Sequence, residues 1–223
     1  MRSTLSLLTL TNKANEENGK KLLLNEGSKI PFLEPKLVHY SNCNSYREYN
    51  EIVACHLNKL IDTDFVLIVQ NDGRIMNPST WTDEFFEYDY IGGSWKEPRN
   101  LQYVSNFYTH DHLVGNGGFS LRSKKLQTLL NEKYSKYYRG ENEDVFICQR
   151  WRHDLEEDGI KFAPLKVADV FSIENNWYDG QFGVHNSFLL DGVWHNMKCG
   201  INEKTAEEFY KLTSSRPPKK IEK

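Results

Sequence analysis

The 223-residue chain carries 28 Lys and Arg against 31 Asp and Glu, a formal net charge of −3, with 39% hydrophobic and 26% charged residues. That composition is globular and long enough to bury a core without cross-links, which excludes a disordered or staple-dependent chain. The balanced charge, whose clearest basic cluster is the pair Lys219-Lys220, excludes the footprint expected of a nucleic-acid or anionic-membrane binder. Four scattered cysteines (Cys43, Cys55, Cys148, Cys199) form no CxxC pair, so neither a zinc knuckle nor a redox motif is expected. The apolar stretch Leu5 to Leu10 is too short for a signal peptide or a membrane span, and the expectation is a cytoplasmic protein with free thiols.

In chain order, Ser3–Thr11 is apolar and β-branched and reads as a first strand. Asn15 to Ser28 reads as a short helix ending near Gly27, and Lys36–Tyr40 as a second strand. Ser45 followed by Glu48 has the spacing of a capping box. The apolar positions Tyr49, Ile52, Val53, His56, Leu57 and Leu60 then follow a helical period. Phe65–Val69 is apolar on both faces and predicts a central, fully covered strand. It runs into Gln70-Asn71-Asp72-Gly73, at the carboxyl end where open α/β sheets collect ligands. Thr80 or Thr82 can cap a short helix through Phe86, and Tyr88–Ile91 is extended.

Asn100 to His112 is expected to be a loop over the site, Gly117–Leu121 a strand, and Ser123 to Tyr134 a helix. Glu143–Glu157 reads as one charged helix with Val145, Phe146, Cys148, Trp151 and Leu155 buried. Lys161–Ala163 and Val170–Ile173 are strand-like, Phe182–Trp194 is the last apolar segment, Thr205–Leu212 is a surface helix, and a tail follows. The alternation of strands and helices predicts an α/β sandwich.

Four places carry candidate chemistry. Asp72, at the exit of a buried strand and beside Gly73, can hold a divalent cation; an ordinary Asp-Gly turn accounts for the same residues. Gly115-Asn116-Gly117-Gly118 permits close backbone approach, or is simply a tight turn. Glu141-Asn142-Glu143-Asp144 suits a helix's first turn through its dipole, and either Glu143 or Asp144 could serve as a general base. His185 could complete a metal site with Asp72, or be structural; Trp95 could stack on an acceptor sugar, or fill the core. No GxSxG, HExxH or P-loop pattern points to a nucleophilic hydrolase, a zinc protease or a nucleotide triphosphatase.

Phe65–Trp95, FVLIVQNDGRIMNPSTWTDEFFEYDYIGGSW, followed in order by VGNGGFSLRS, NEDVFIC, KFAP, FSIE and FGVH, resembles a family of glycosyltransferase-like domains long kept under an unknown-function heading. That family is similar to the GT-A glycosyltransferases. The resemblance implies a single GT-A-like domain over residues 1–212, with a Rossmann-like central mixed sheet flanked by helices, and a flexible tail at 213–223. It implies Asp72 as the remnant of a DxD motif, with Gln70 where the first Asp would stand, and Gln70, Asn71 and Gly73 beside it on the donor. It further implies Asp144 as the base with Glu143 as its alternative, Trp95, Gly117 and Gly118 at the acceptor, and His185 as a late metal ligand. The implied partners are a nucleotide-diphospho-sugar, UDP-linked, and a glycan acceptor. The implied cofactor is Mn²⁺ or Mg²⁺, and transfer would be inverting.

Overall fold

Phe65–Val69 is apolar at every position. In the structure, a computed structural model that describes residues 3–95, 113–174 and 180–185, all five of these residues are buried. The strands are β1 (Leu5–Leu10), β2 (Lys36–Tyr40), β3 (Phe65–Val69), β4 (Gly73–Ile75), β5 (Tyr90–Ile91), β6 (Phe119–Ser123), β7 (Ser172–Ile173) and β8 (Gly183–His185). The helices are α1 (Glu16–Lys29), α2 (Tyr46–Glu51), α3 (Lys124–Leu129), α4 (Glu143–Val145), α5 (Arg152–Glu157) and α6 (Leu165–Phe171). The main sheet has the order β2-β1-β3-β6-β5, which puts β3 at its centre as its composition requires. β2, β1 and β3 are parallel, whereas β6 runs antiparallel to both β3 and β5. The expected α/β fold, a mixed sheet flanked by helices, is what the chain forms.

Successive side chains of a strand point to opposite faces, and β3 shows both being used. Phe65, Leu67 and Val69 pack with Leu23 of α1 and Val167 and Phe171 of α6. Val66 and Ile68 pack on the other face with Tyr49, Val53 and Leu57, from α2 and the turns that continue it. Ser45 Oγ accepts the Glu48 N–H at 3.1 Å as the capping pattern predicts, while Glu48 Oε2 accepts from the Asn44 N–H at 2.7 Å. Thr82, rather than Thr80, caps the short 3-10 helix Asp83–Glu87.

Several expectations are corrected. α1 ends at Lys29, two residues past Gly27, which lies against Leu37, where a Cβ would come within 2.9 Å of Cδ2. Leu165–Phe171 is helical, and only Ser172–Ile173 is strand. Val167, Ala168 and Phe171 form one buried stripe that the β-branched run conceals, and Pro164 precedes the helix. Lys161–Ala163 makes one bridge, Phe162 to Tyr90, instead of a strand. The expected helix over Glu143–Glu157 is broken at Trp151, after a wider π turn at Phe146–Arg150. A second sheet, β4-β8-β7, was not anticipated. The expected loop at Asn100–His112, helix at Thr205–Leu212 and tail at 213–223 lie outside the described residues.

Candidate functional site

The chain leaves β3 in a turn closed by the Gly73 N–H donating to the Gln70 carbonyl at 2.9 Å. β4 then pairs antiparallel with β8, with Gly73 opposite His185. This register brings His185 Nε2 to 3.0 Å from Asp72 Oδ1 and to 3.0 Å from Gln70 Oε1. Hydrogen-bond geometry is met toward Gln70. Asp72 Oδ1 is left buried with no hydrogen bond among the described residues. Burial pulls the His185 pKa down, but the Asp72 carboxylate outweighs it and the net shift is upward. Burial acts upward on Asp72, and His185 outweighs it, so its carboxyl stays below the usual range.

Gly118 makes this arrangement possible: a Cβ there would stand 2.1 Å from His185 Nε2. Gly117 serves Glu143 likewise, since a Cβ there would stand 1.4 Å from Glu143 Oε1. Glu143 accepts from Arg122 Nη2 at 2.7 Å, its N–H donates to Asn50 Oδ1 at 2.9 Å, and Arg122 Nε donates to Ser120 Oγ at 3.0 Å. Burial pushes the Glu143 carboxyl up, to about 7, against the pull of Arg122. Burial also works against the charge on Arg122, but Glu143 outweighs it and holds the guanidinium protonated. Asp144 is partly exposed. Its Oδ1 accepts from the Val145 N–H at 2.8 Å and its Oδ2 from the Gly117 N–H at 3.4 Å.

Two cavities meet at these residues. The larger, about 560 Å³, lies at the carboxyl ends of β1 and β3 and is lined by Thr11, Asn12, Asn15, Asn44, Asn71 and Arg74 among others. Among the described residues lining it, Arg74 alone is charged. The smaller, about 200 Å³, is walled by Glu143, Asp144, Gly117, Gly118, Glu174 and His185. Tyr46, Tyr49 and Gln70 line both, so the cavities adjoin across them. Asp72 and Gly73 line neither.

The residues can accommodate a divalent cation. Neighbouring ligands of an octahedral ion at about 2.1 Å stand about 3.0 Å apart. Asp72 Oδ1 and His185 Nε2 have that separation, and Oδ1 lacks a hydrogen bond that the ion would replace. Among the described residues no group of three His, Cys, Asp or Glu gathers that could hold a metal. The fit is therefore to an ion that takes two or three protein ligands and completes its shell with water and phosphate oxygens, as Mg²⁺ does.

The structure thus brings Gln70, Asp72, Gly117, Gly118, Glu143, Asp144 and His185 into one region. Trp95, offered as an acceptor-stacking or a core residue, takes the core role: it is 3% exposed and lines neither cavity. A Cβ on Gly115 would meet its ring at 2.0 Å, so Gly115 serves the packing of this indole. Glu143, the alternative base, is tied to Arg122. Arg122, Asn50, Tyr46, Glu174 and the Asn-rich end of β1 went unrecognised in the sequence. Only the end of β1 had a usable signal, being the carboxyl end of a strand parallel to β3.

Residues 34–185 match the family described as "Protein of unknown function (DUF5672)". The chain belongs to that family. The matched span runs from just before β2 to the end of β8 and so contains the Asp72–His185 pair and Asp144. No curated protein matches the chain. Solved structures similar to it include two of viral origin. A197 from STIV is 15% identical, over 66% of this chain and 76% of that one, with a TM-score of 0.36. A glycosyltransferase involved in the glycosylation of the major capsid of PBCV-1 is 12% identical, over 94% of this chain and 98% of that one, with a TM-score of 0.41. No helix among the described residues is long and apolar enough to cross a membrane.

Proposed function

We propose that the chain is a GT-A-like glycosyltransferase that moves a sugar from a nucleotide-diphospho-sugar, UDP-linked, to a hydroxyl of a glycan acceptor. One observation carries this reading. A larger polar cavity at the ends of two parallel strands adjoins a smaller acidic one across Gln70, and His185 in the wall of the smaller one stands 3.0 Å from both Gln70 Oε1 and Asp72 Oδ1. Ligands of doubly wound sheets sit in that position.

In this mechanism the larger cavity takes the nucleotide. The side-chain amides of Asn12, Asn15, Asn44 and Asn71 offer donors and acceptors to base and ribose, and Arg74 offers positive charge to the diphosphate. Asp72 and His185 would hold a divalent cation, which when bound neutralises the charge of the leaving diphosphate. Asp144 acts as general base. Its carboxylate takes the acceptor hydroxyl proton as that oxygen bonds to the anomeric carbon and the bond from that carbon to the diphosphate breaks, with inversion. The Val145 and Gly117 N–H groups hold the carboxylate in place. Arg122 and Glu143 lie beneath it as a positioning pair.

Titration calorimetry with UDP and UDP-sugars, with and without Mn²⁺, tests binding, and UDP release tests turnover. Asp144→Asn should lower kcat by roughly 10²- to 10⁴-fold while leaving donor affinity unchanged. Absence of UDP binding by the wild type, or undiminished turnover in Asp72→Ala, would overturn the proposal. A second reading, a carbohydrate- or nucleotide-binding module without catalysis, is favoured by Gln70 in place of an acidic ligand and by the small donor set. A binder would release no UDP from a UDP-sugar, with or without acceptor.

A further inference from the structure

Asn116 stands at φ +55°, one of two non-glycine residues at positive φ among the described ones. Asparagine tolerates that region better than most residues, and glycine enters it at no steric cost. The side chain is 2% exposed. Its Oδ1 accepts the Gly118 N–H at 3.2 Å, which fixes the turn that admits the His185 ring. Its Nδ2 is buried with no hydrogen-bond partner among the described residues. A buried amide donor left unpaired is destabilising, and natural structures keep few of them without a use.

The backbone does not explain this choice of residue. Glycine would relieve the conformation, and aspartate would keep the bond to Gly118; asparagine alone among the three adds the donor. Asn116 lines the small cavity, whose wall is rich in acceptors: the carboxylates of Glu143, Asp144 and Glu174 and the amide oxygen of Gln70. A Cβ on Gly93 would stand 3.2 Å from Nδ2 and 3.3 Å from Glu174 Cβ, so Gly93, lacking a side chain, lets the amide and Glu174 pack close against its backbone. A sugar hydroxyl both donates and accepts. A wall of this kind binds the donating side readily and needs an N–H for the accepting side.

We propose that Asn116 Nδ2 donates to a hydroxyl of the sugar ring in the small cavity, making Asn116 a specificity-determining residue for the sugar rather than for the nucleotide. The inference rests on the glycosyltransferase reading and deepens it. Asn116 does not line the larger cavity, so nucleotide binding in the absence of a metal should be indifferent to it.

The test measures binding of UDP, UDP-glucose and UDP-galactose to wild type, Asn116→Gly and Asn116→Asp, with thermal melting of each variant. The wild type is expected to bind at least one UDP-hexose more tightly than UDP. Measured without added metal, so that a shift of the His185 ring is not read, both variants should hold UDP within twofold of wild type and lose that increment, by roughly tenfold, the worth of one hydrogen bond to a buried donor. Asn116→Gly should melt at or above the wild-type temperature, which separates lost recognition from lost structure. An increment absent from the wild type, or kept by both variants, overturns the inference while UDP binding leaves the underlying reading standing. Failure of the wild type to bind UDP at all overturns the reading and the inference with it.

Discussion

Arg122 and Glu143 pair with almost no access to water, their side chains being 0% and 4% exposed. Such a pair gains strong attraction and loses both hydration shells, so breaking it by removing one partner costs more than never having it. Burial holds the Glu143 carboxyl at about 7, above its unfolded value of 4.5. Between those values the native state keeps a proton that the unfolded chain has released. The stability this adds is full below about pH 4.5 and is lost as pH rises through about 7. Urea unfolding across that range should therefore show a fall with rising pH that is flatter in Glu143→Gln. Equal slopes would place the carboxyl near its ordinary value. At the neighbouring Gly118, alanine would put a Cβ 2.1 Å from His185 Nε2. Gly118→Ala should weaken Mn²⁺-dependent UDP binding about tenfold or more while costing only the 1–3 kcal/mol of an overpacked site. Calorimetry together with a melting curve separates the two effects.

At the scale of elements, the site depends on how helices begin. Ser45 caps α2, and the residues immediately after it, Tyr46 and Tyr49, line both cavities. Ser45→Ala should cost about 1 kcal/mol of stability, the usual worth of such a cap. It should also raise KM for the donor more than it lowers kcat, because the first turn holds the cavity wall and not the base. Steady-state kinetics checks the split. This element was legible from spacing alone: Ser45, Glu48 and the apolar period after them foretold both cap and buried face. α6 was not, because Val170, Phe171 and Ile173 suit strand and helix alike, and a short apolar run is decided by what it packs against. Glu143 and Asp144 share one short turn, α4, and adjacent helical residues face about 100° apart. Residue type could nominate both as bases. Only the turn's placement over Gly117 and Arg122 gives one to the core and leaves the other partly exposed.

For the molecule as a whole, the ligand should act as a stabiliser. A nucleotide bound only by the native state adds about 2.7 kcal/mol at a hundredfold excess over its Kd. UDP with Mn²⁺ should accordingly raise the melting temperature, and Asp72→Ala should blunt the rise; an unchanged melt at saturating UDP would speak against the larger cavity as its site. The sequence by itself determined the α/β class, the central position of Phe65–Val69 and the acidic turn at its end, because these follow from local pattern: apolar runs, periods and caps. It also nominated His185 as a partner of Asp72, though not the pairing that joins them. Pairing of β4 with β8 brings His185 to Asp72, and that register is a long-range event which no local pattern encodes. The same holds for Arg122 beneath Glu143, for Asn116 in the wall of the small cavity, and for Trp95, whose ring the packing against Gly115 removes from the surface. Which polar groups are buried, and against what, is settled only when distant segments meet, since the cost of burying each depends on the partner it finds there.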